Sequence, residues 1–430
     1  MNFFFWLYQW QLKGYRCDRM RLYIQALSQR ELLILWMVGN RKRPKFTVKM
    51  VGIMLTSILL ICLPLLFIPK FTYLWAIIAS FVVVVLAPFC VSISVGLWAI
   101  PSSMVERILL YLAGVKRAKL KNLIVIGVTG SYGKTSTKEA IADVLSEKYK
   151  VLRTPKSANG EIGVALHAIR SLHSSYEIYV VEMGAYYRGV IRSVAKAMKP
   201  SIGVLTGINE QHLGLFGNYE NITKAKLELM QALPKDGVAI INWADQGVRS
   251  VRDQIPVRTV TYESKQVSEN VNAAVCVARE LGMTEDEISR GVQRVVPMSQ
   301  HMQFINCPDG LTIIDDTYNS NSTGFLAALL ALAQLDVDTR VVVTTGIYEL
   351  GEQSQTINAR LYEESINVTE NLFMVEPLHA LFYPTATVVT DSDILVSQIH
   401  QCSGSIAVLF EGRSRINNEA IELLRLHTKP

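Results

Sequence analysis

Residues 125–138, VIGVTGSYGKTSTK, constrain the fold more than any other stretch of the chain. An uncharged, β-rich run from Leu123 to Val128 leads into a loop carrying Gly130 and Gly133, and a stretch compatible with helix opens near Ser136, just after Lys134 and Thr135. Strand, glycine loop and helix in that order cradle phosphates. Glycines let backbone N–H groups approach anionic oxygens, a lysine adds a point charge, and a hydroxyl can ligate Mg²⁺. The helix start adds its own partial positive charge. The pattern is a variant, because Val128 stands where the common motif has its first glycine, with Gly127 one residue further back. The same turn would also serve a strand-to-helix connection without nucleotide, so the discrimination must come from elsewhere in the chain.

A chain of 430 residues has room for two or three domains. Half of its residues are apolar, too many for a wholly soluble enzyme, and the excess lies in the first hundred. The six cysteines (Cys17, Cys62, Cys90, Cys276, Cys307 and Cys402) follow no CxxC or metal-site spacing. They read as reduced thiols in a cytosolic or membrane setting. The net charge of +6 borders the apolar runs, so membrane orientation accounts for it and no nucleic-acid partner is expected.

Residues 1–48 open with Phe3, Phe4, Phe5, Trp6, Tyr8 and Trp10, followed by Lys13, Arg16, Arg19, Arg21 and the run Arg41, Lys42, Arg43. That composition predicts an interfacial segment on anionic lipid. Residues 49–105 hold two uncharged runs, Val51 to Ile68 and Phe71 to Val105, with Pro88 and Pro101 as kinks or ends. Each suits a membrane span, joined by a turn at Pro69 and Lys70. Basic residues flank the pair on both sides, so the positive-inside rule predicts a two-span hairpin with both ends cytoplasmic.

From Asn122 the chain alternates short β runs with helical stretches. Leu123–Val128, Glu177–Met183, Ile202–Thr206 and Val238–Asn242 predict a doubly wound, mostly parallel sheet over residues 122–297, with ligand sites at the strands' carboxyl ends. Thr261 to Glu269 reads as a crossover and Asn270 to Val296 as two helices. A second α/β unit, residues 298–430, follows a boundary near Pro297, with β runs at Leu311–Ile314, Arg340–Thr344 and Ile406–Phe410. Glu182, ending the strand VVEMGA, falls where the glycine loop emerges, as a Mg²⁺ ligand or a helix cap. His212 sits on a Gly-rich loop, and Lys224 and Lys226 on the next helix are by spacing alone a solvated face.

Six segments in order, TGSYGKTSTKE, VVEMGAYYRGVI, NEQHLGLFGNYENITKAKLEL, NVNAAVCVARELGM, IIDDTYNSN and YELGE, resemble the Mur ligase family of ATP-dependent amide-forming enzymes. The resemblance covers about residues 122–430. It is greatest to the members that add a D-alanyl-D-alanine dipeptide to a cell-wall peptide precursor. It implies a P-loop central domain and a smaller Rossmann-like C-terminal domain. A membrane hairpin stands where the family has its UDP-gripping first domain.

The implied chemistry is attack of a substrate carboxylate on the γ-phosphate of ATP, then displacement of phosphate from the acyl phosphate by an amine. Matched position by position, Thr129, Gly130, Ser131, Tyr132, Gly133, Lys134, Thr135 and Ser136 would hold the nucleotide. Thr135 and Glu182 would hold a first Mg²⁺, and His212 and a carbamylated Lys226 a second. Lys134, Glu182, His212 and Lys226 form the implied catalytic set. A carbamate requires a neutral amine, so the Lys226 pKa would have to be lowered by nearby cations such as Mg²⁺ or Lys224. Asn272, Asp316, Tyr318 and Asn319 match positions near the nucleotide, and Asn159, Arg413 and Arg415 match substrate contacts. Two alternatives stay open, a ligase for another polymer or a lipid-linked precursor, and a non-catalytic ATP-binding scaffold. The expected location is the cytoplasmic membrane, with the catalytic domains and N-terminus inside the cell.

Overall fold

A computed structural model describes residues 2–25, 44–65, 73–155, 158–263, 269–295, 302–307, 310–317 and 321–426. The chain divides into two compact units, Met1–Leu109 and Leu110–Pro430.

The first unit is helical. Helices Asn2–Leu12, Cys17–Gln25 and Val48–Leu65 are followed by the 46-residue helix that begins at Tyr73 and ends at Ala118. Phe5, Trp6, Leu7 and Trp10 are buried with Met20, Met50, Ile53, Val91 and Val95 in one apolar cluster. The aromatic run thus packs within a helical core. Gly52 lies so close to Trp98 that a Cβ there would meet the indole at 2.2 Å. The long helix continues through Pro88 and Pro101, so neither ends it. Hydroxyls in these apolar helices return to carbonyls one turn back, Ser57 to Ile53 at 2.6 Å and Ser94 to Cys90 at 2.8 Å, which leaves few polar groups to desolvate. Among the described residues, one helical stretch, Val85–Ala118, is long and apolar enough to cross a membrane by length and composition. Val48–Leu63 is a shorter apolar helix. The expected turn at Pro69 and Lys70 lies outside the described residues.

The second unit contains two α/β sheets. The first is wholly parallel and consists of β1 (Ile124–Thr129), β2 (Val151–Arg153), β3 (Ile178–Glu182), β4 (Ile202–Leu205), β5 (Val238–Asn242) and β6 (Arg258–Tyr262), in spatial order 2-3-1-4-5-6. Buried Val128, Val204 and Ile240 pack against Ile141 and Val144 of helix Lys134–Leu145 and Val277 of helix Glu269–Glu280. Lys116 and Arg117 donate to the carbonyls of Ile169 and Met198 within this unit.

The second sheet contains β7 (Gln303–Asn306), β8 (Leu311–Asp316), β9 (Thr339–Thr344), β10 (Asn371–Met374), β11 (Thr387–Val388) and β12 (Ile406–Glu411), in order 11-10-9-12-8-7, with only β7 antiparallel. Apolar clusters cover both of its faces. The expected α/β architecture is present, with strands β2, β6, β7, β10 and β11 added. Thr261 and Tyr262 end β6 instead of starting a crossover, and Glu269 already begins a helix. Pro297 falls outside the described residues.

Candidate active site

The register of the first sheet gathers the site. β1 pairs with β3 so that Val128 lies opposite Glu182, and with β4 so that Thr129 lies opposite Leu205. The glycine loop, Glu182 and the segment after β4 therefore emerge at one edge. Gly133 adopts a left-handed φ of 71° to cap helix Lys134–Leu145. Gly130, at φ 155°, approaches Thr206 so closely that a Cβ would meet its Oγ1 at 2.0 Å.

Several loop groups expected to face phosphate are bound to protein instead. Ser131 donates its N–H to Gly207 O at 2.8 Å, and its hydroxyl accepts from Asn209 N at 3.1 Å. Thr129 is buried and donates to Met183 O at 2.8 Å. The Tyr132 ring lies over Gly207, and its hydroxyl donates to Asp245 at 2.6 Å; burial first, and then Asp245, push its phenol pKa up. These three residues fix the loop, which leads through Gly133 into Lys134, Thr135 and Ser136 at the start of the helix. Lys134 Nζ donates to the carbonyls of Gly130 and Ser131 at 2.8 and 2.9 Å.

Glu182 is 1% exposed and held from two sides. Its Oε1 accepts from Asn159 Nδ2 at 3.0 Å, and its Oε2 lies 3.3 Å from the buried ammonium of Lys138. Asn159, expected to meet substrate, orients this carboxylate. Sequence reasoning missed Lys138, although it follows Lys134 by one helical turn and so shares its face.

Asn218 caps helix Tyr219–Gln231 by accepting from Asn221 N. Two residues apart on that helix, Lys224 and Lys226 face different surroundings. Lys224 pairs with Glu220 at the surface, whereas Lys226 is 3% exposed with its Nζ 5.9 Å from the Phe216 ring centroid. Burial holds the Lys226 pKa well below the usual lysine value, and Lys134 lowers it further while Glu228 opposes. The expectation that Lys224 would lower it is corrected, since burial and Lys134 do so. His212 holds a left-handed φ of 63°, with Nδ1 2.6 Å from Glu349 of the YELGE segment. Burial, Lys226 and Lys134 lower its pKa, and Glu349 raises it. Lys134, Glu182, His212 and Lys226 thus lie close enough to be linked through their charges.

A family model described as the Mur ligase middle domain matches residues 128–295. Residues 128–295 are a Mur ligase middle domain. The UDP-N-acetylmuramoyl-tripeptide–D-alanyl-D-alanine ligase of Mycobacterium tuberculosis strain H37Rv is 32% identical over 250 residues, 49% of each chain. The chain thus spans about half the length of that relative. MurF from Acinetobacter baumannii superposes with a TM-score of 0.67 at 24% identity, over 75% of this chain and 81% of that one. The MurF ligase of Thermotoga maritima in complex with ADP gives 0.64 at 25% identity, over 73% and 83%.

Among the remaining expected residues, inside the Mur ligase middle domain and past its end, fewer are gathered at the glycine loop. Asn272 donates to Glu263 O at 2.8 Å, whereas Asn270, which sequence reasoning passed over, accepts from Thr137 at 2.8 Å beside the glycine loop. Asp316 ends β8, and burial raises its pKa to about 6. Tyr318 and Asn319 lie outside the described residues. Arg413 is exposed just beyond β12, and Arg415 pairs with Glu419 at 2.7 Å.

Proposed function

We propose that this chain is a membrane-attached, ATP- and Mg²⁺-dependent ligase joining the carboxylate of a cell-wall peptide precursor to the amine of an amino acid or a D-alanyl-D-alanine-like dipeptide. The observation that carries this reading is Lys226, an amine buried on the helix that leaves Lys224 at the surface, where burial disfavours its charged form and Lys134 and His212 lie within electrostatic reach. A solvated helix face has no use for such a lysine. A neutral amine can take up CO₂ as a carbamate, which turns a useless ammonium into an anionic oxygen donor.

The donor set fits divalent ions only in company. Among the described residues no three His, Cys, Asp or Glu side chains gather around one metal position. Thr135 and Glu182 would hold one ion, and His212 and carbamylated Lys226 the other, each completed by phosphate oxygens. Magnesium, when bound, neutralises phosphate charge. The protein groups then have distinct tasks. The glycine loop and helix N-terminus bind phosphate, and Lys134 leaves its loop carbonyls to follow the γ-phosphate. The substrate carboxylate displaces ADP to give an acyl phosphate. The incoming amine attacks the acyl carbon, phosphate departs, and the amine proton passes to solvent.

For the first unit we propose the two-span hairpin with both ends cytoplasmic, supported by the apolar helices, their internally bonded hydroxyls and the flanking basic residues. Attachment there would suit an acceptor carried on a lipid as well as one carried on a nucleotide.

Phosphate release from ATP by the full-length protein in detergent, supplied with UDP-linked and lipid-linked peptide acceptors and D-alanyl-D-alanine or single amino acids, tests the ligase reading. Release that requires both acceptor and amine is expected. Absence of amine-dependent release with every pair would overturn it.

A further inference from the structure

Five described residues other than glycine hold a positive φ, and two of them, His212 at 63° and Glu349 at 62°, face each other across the seam between the two α/β sheets. Left-handed backbone is strained for a side-chain-bearing residue, and survives where the surroundings over-determine it. Here they do. Gly214 N–H donates to Glu349 O at 2.7 Å, and a Cβ on Gly214 would lie 2.7 Å from Gly351 N. Tyr186 packs edge-on against the His212 ring, with centroids 4.9 Å apart. The imidazole is therefore fixed by an aromatic neighbour and by a carboxylate contributed from the other sheet.

An imidazole that donates Nδ1–H to a carboxylate has its tautomer set, with the lone pair on Nε2. We propose that Glu349 is a positioning residue which, by accepting Nδ1–H from His212, aims Nε2 at the divalent ion of the ligase site, so that docking of the C-terminal sheet completes the metal site. This rests on the ligase reading above and adds a requirement to it.

The test uses the full-length protein in detergent with Mn²⁺ and the β,γ-imido analogue of ATP, reading Mn²⁺ affinity and the ¹⁴N modulation that a coordinated imidazole imposes on the Mn²⁺ electron-spin echo. His212→Ala is expected to abolish the modulation. Glu349→Ala is expected to weaken Mn²⁺ about tenfold or more and to diminish the modulation, with Glu349→Gln, whose amide oxygen can still accept, restoring most of both. Gly214→Ala leaves both side chains in place but forces the seam apart, and is expected to give the same loss. If His212→Ala changes nothing, the metal assignment and this inference fall together. If His212→Ala removes the signal while Glu349→Ala and Gly214→Ala leave it intact, the inference alone is overturned.

Discussion

Lys224 and Lys226 set the residue scale: two lysines separated by one position, one paired with Glu220 at the surface and the other buried. Composition gives them equal standing, and only the neighbouring chain, with Phe216 below and Lys134 across, divides them. Asp316 gives a titration free of the proposed metal positions. Its folded pKa, about 6, lies above the unfolded value near ~3.9. The folded state therefore binds the proton more tightly, and stability declines as pH rises from about 4 to about 6, then levels off. Asp316→Asn removes that penalty. Thermal melts should show the variant more stable than wild type at pH 8, by on the order of 2 kcal/mol, and little different at pH 4.

At the scale of elements, the site is a loop laid on a loop. Ser131, Tyr132 and Thr206 tie the glycine loop to the segment after β4, and Gly130 lies at the closest approach. A methyl on Gly130 would run into Thr206 Oγ1 and the Gly207 backbone. Gly130→Ala should cost about 2–4 kcal/mol in denaturant melts and abolish ADP binding by calorimetry. This scale also separates what was legible in the chain from what was not. The buried apolar strands β1, β3, β4, β5 and β12 announce themselves as uncharged runs. By contrast, β2 has three residues, β11 has two, and β6 alternates polar groups with apolar ones, so each owes its place to strand pairing rather than to its own pattern. The motif residues Glu182, His212 and Lys226 could be picked out as positions. Their pairings could not: Asn159 stood out only as a substrate contact and Glu349 only within YELGE, while Lys138 passed unremarked, because those contacts join segments that only the tertiary fold brings together.

On the scale of the whole molecule, the ion pair beneath Glu182 bears on how the protein lives between reactions. Lys138, 0% exposed, lies 3.3 Å from Glu182 and 3.1 Å from Glu139. A carboxylate with a resident counter-ion does not depend on an imported one to keep its surroundings folded, unlike structural metal sites whose binding energy is folding energy. Treatment with EDTA is accordingly expected to leave the melting temperature of the full-length protein within about 2 °C of the untreated sample, a shift below that of a 1 kcal/mol change in a domain this large. A larger fall would mean that the metal braces the architecture. With Lys138 keeping the seat warm, the proposed cation would be a commuter, arriving on its nucleotide and leaving with the spent one, and on that proposal a cell starved of magnesium would idle this protein without losing it.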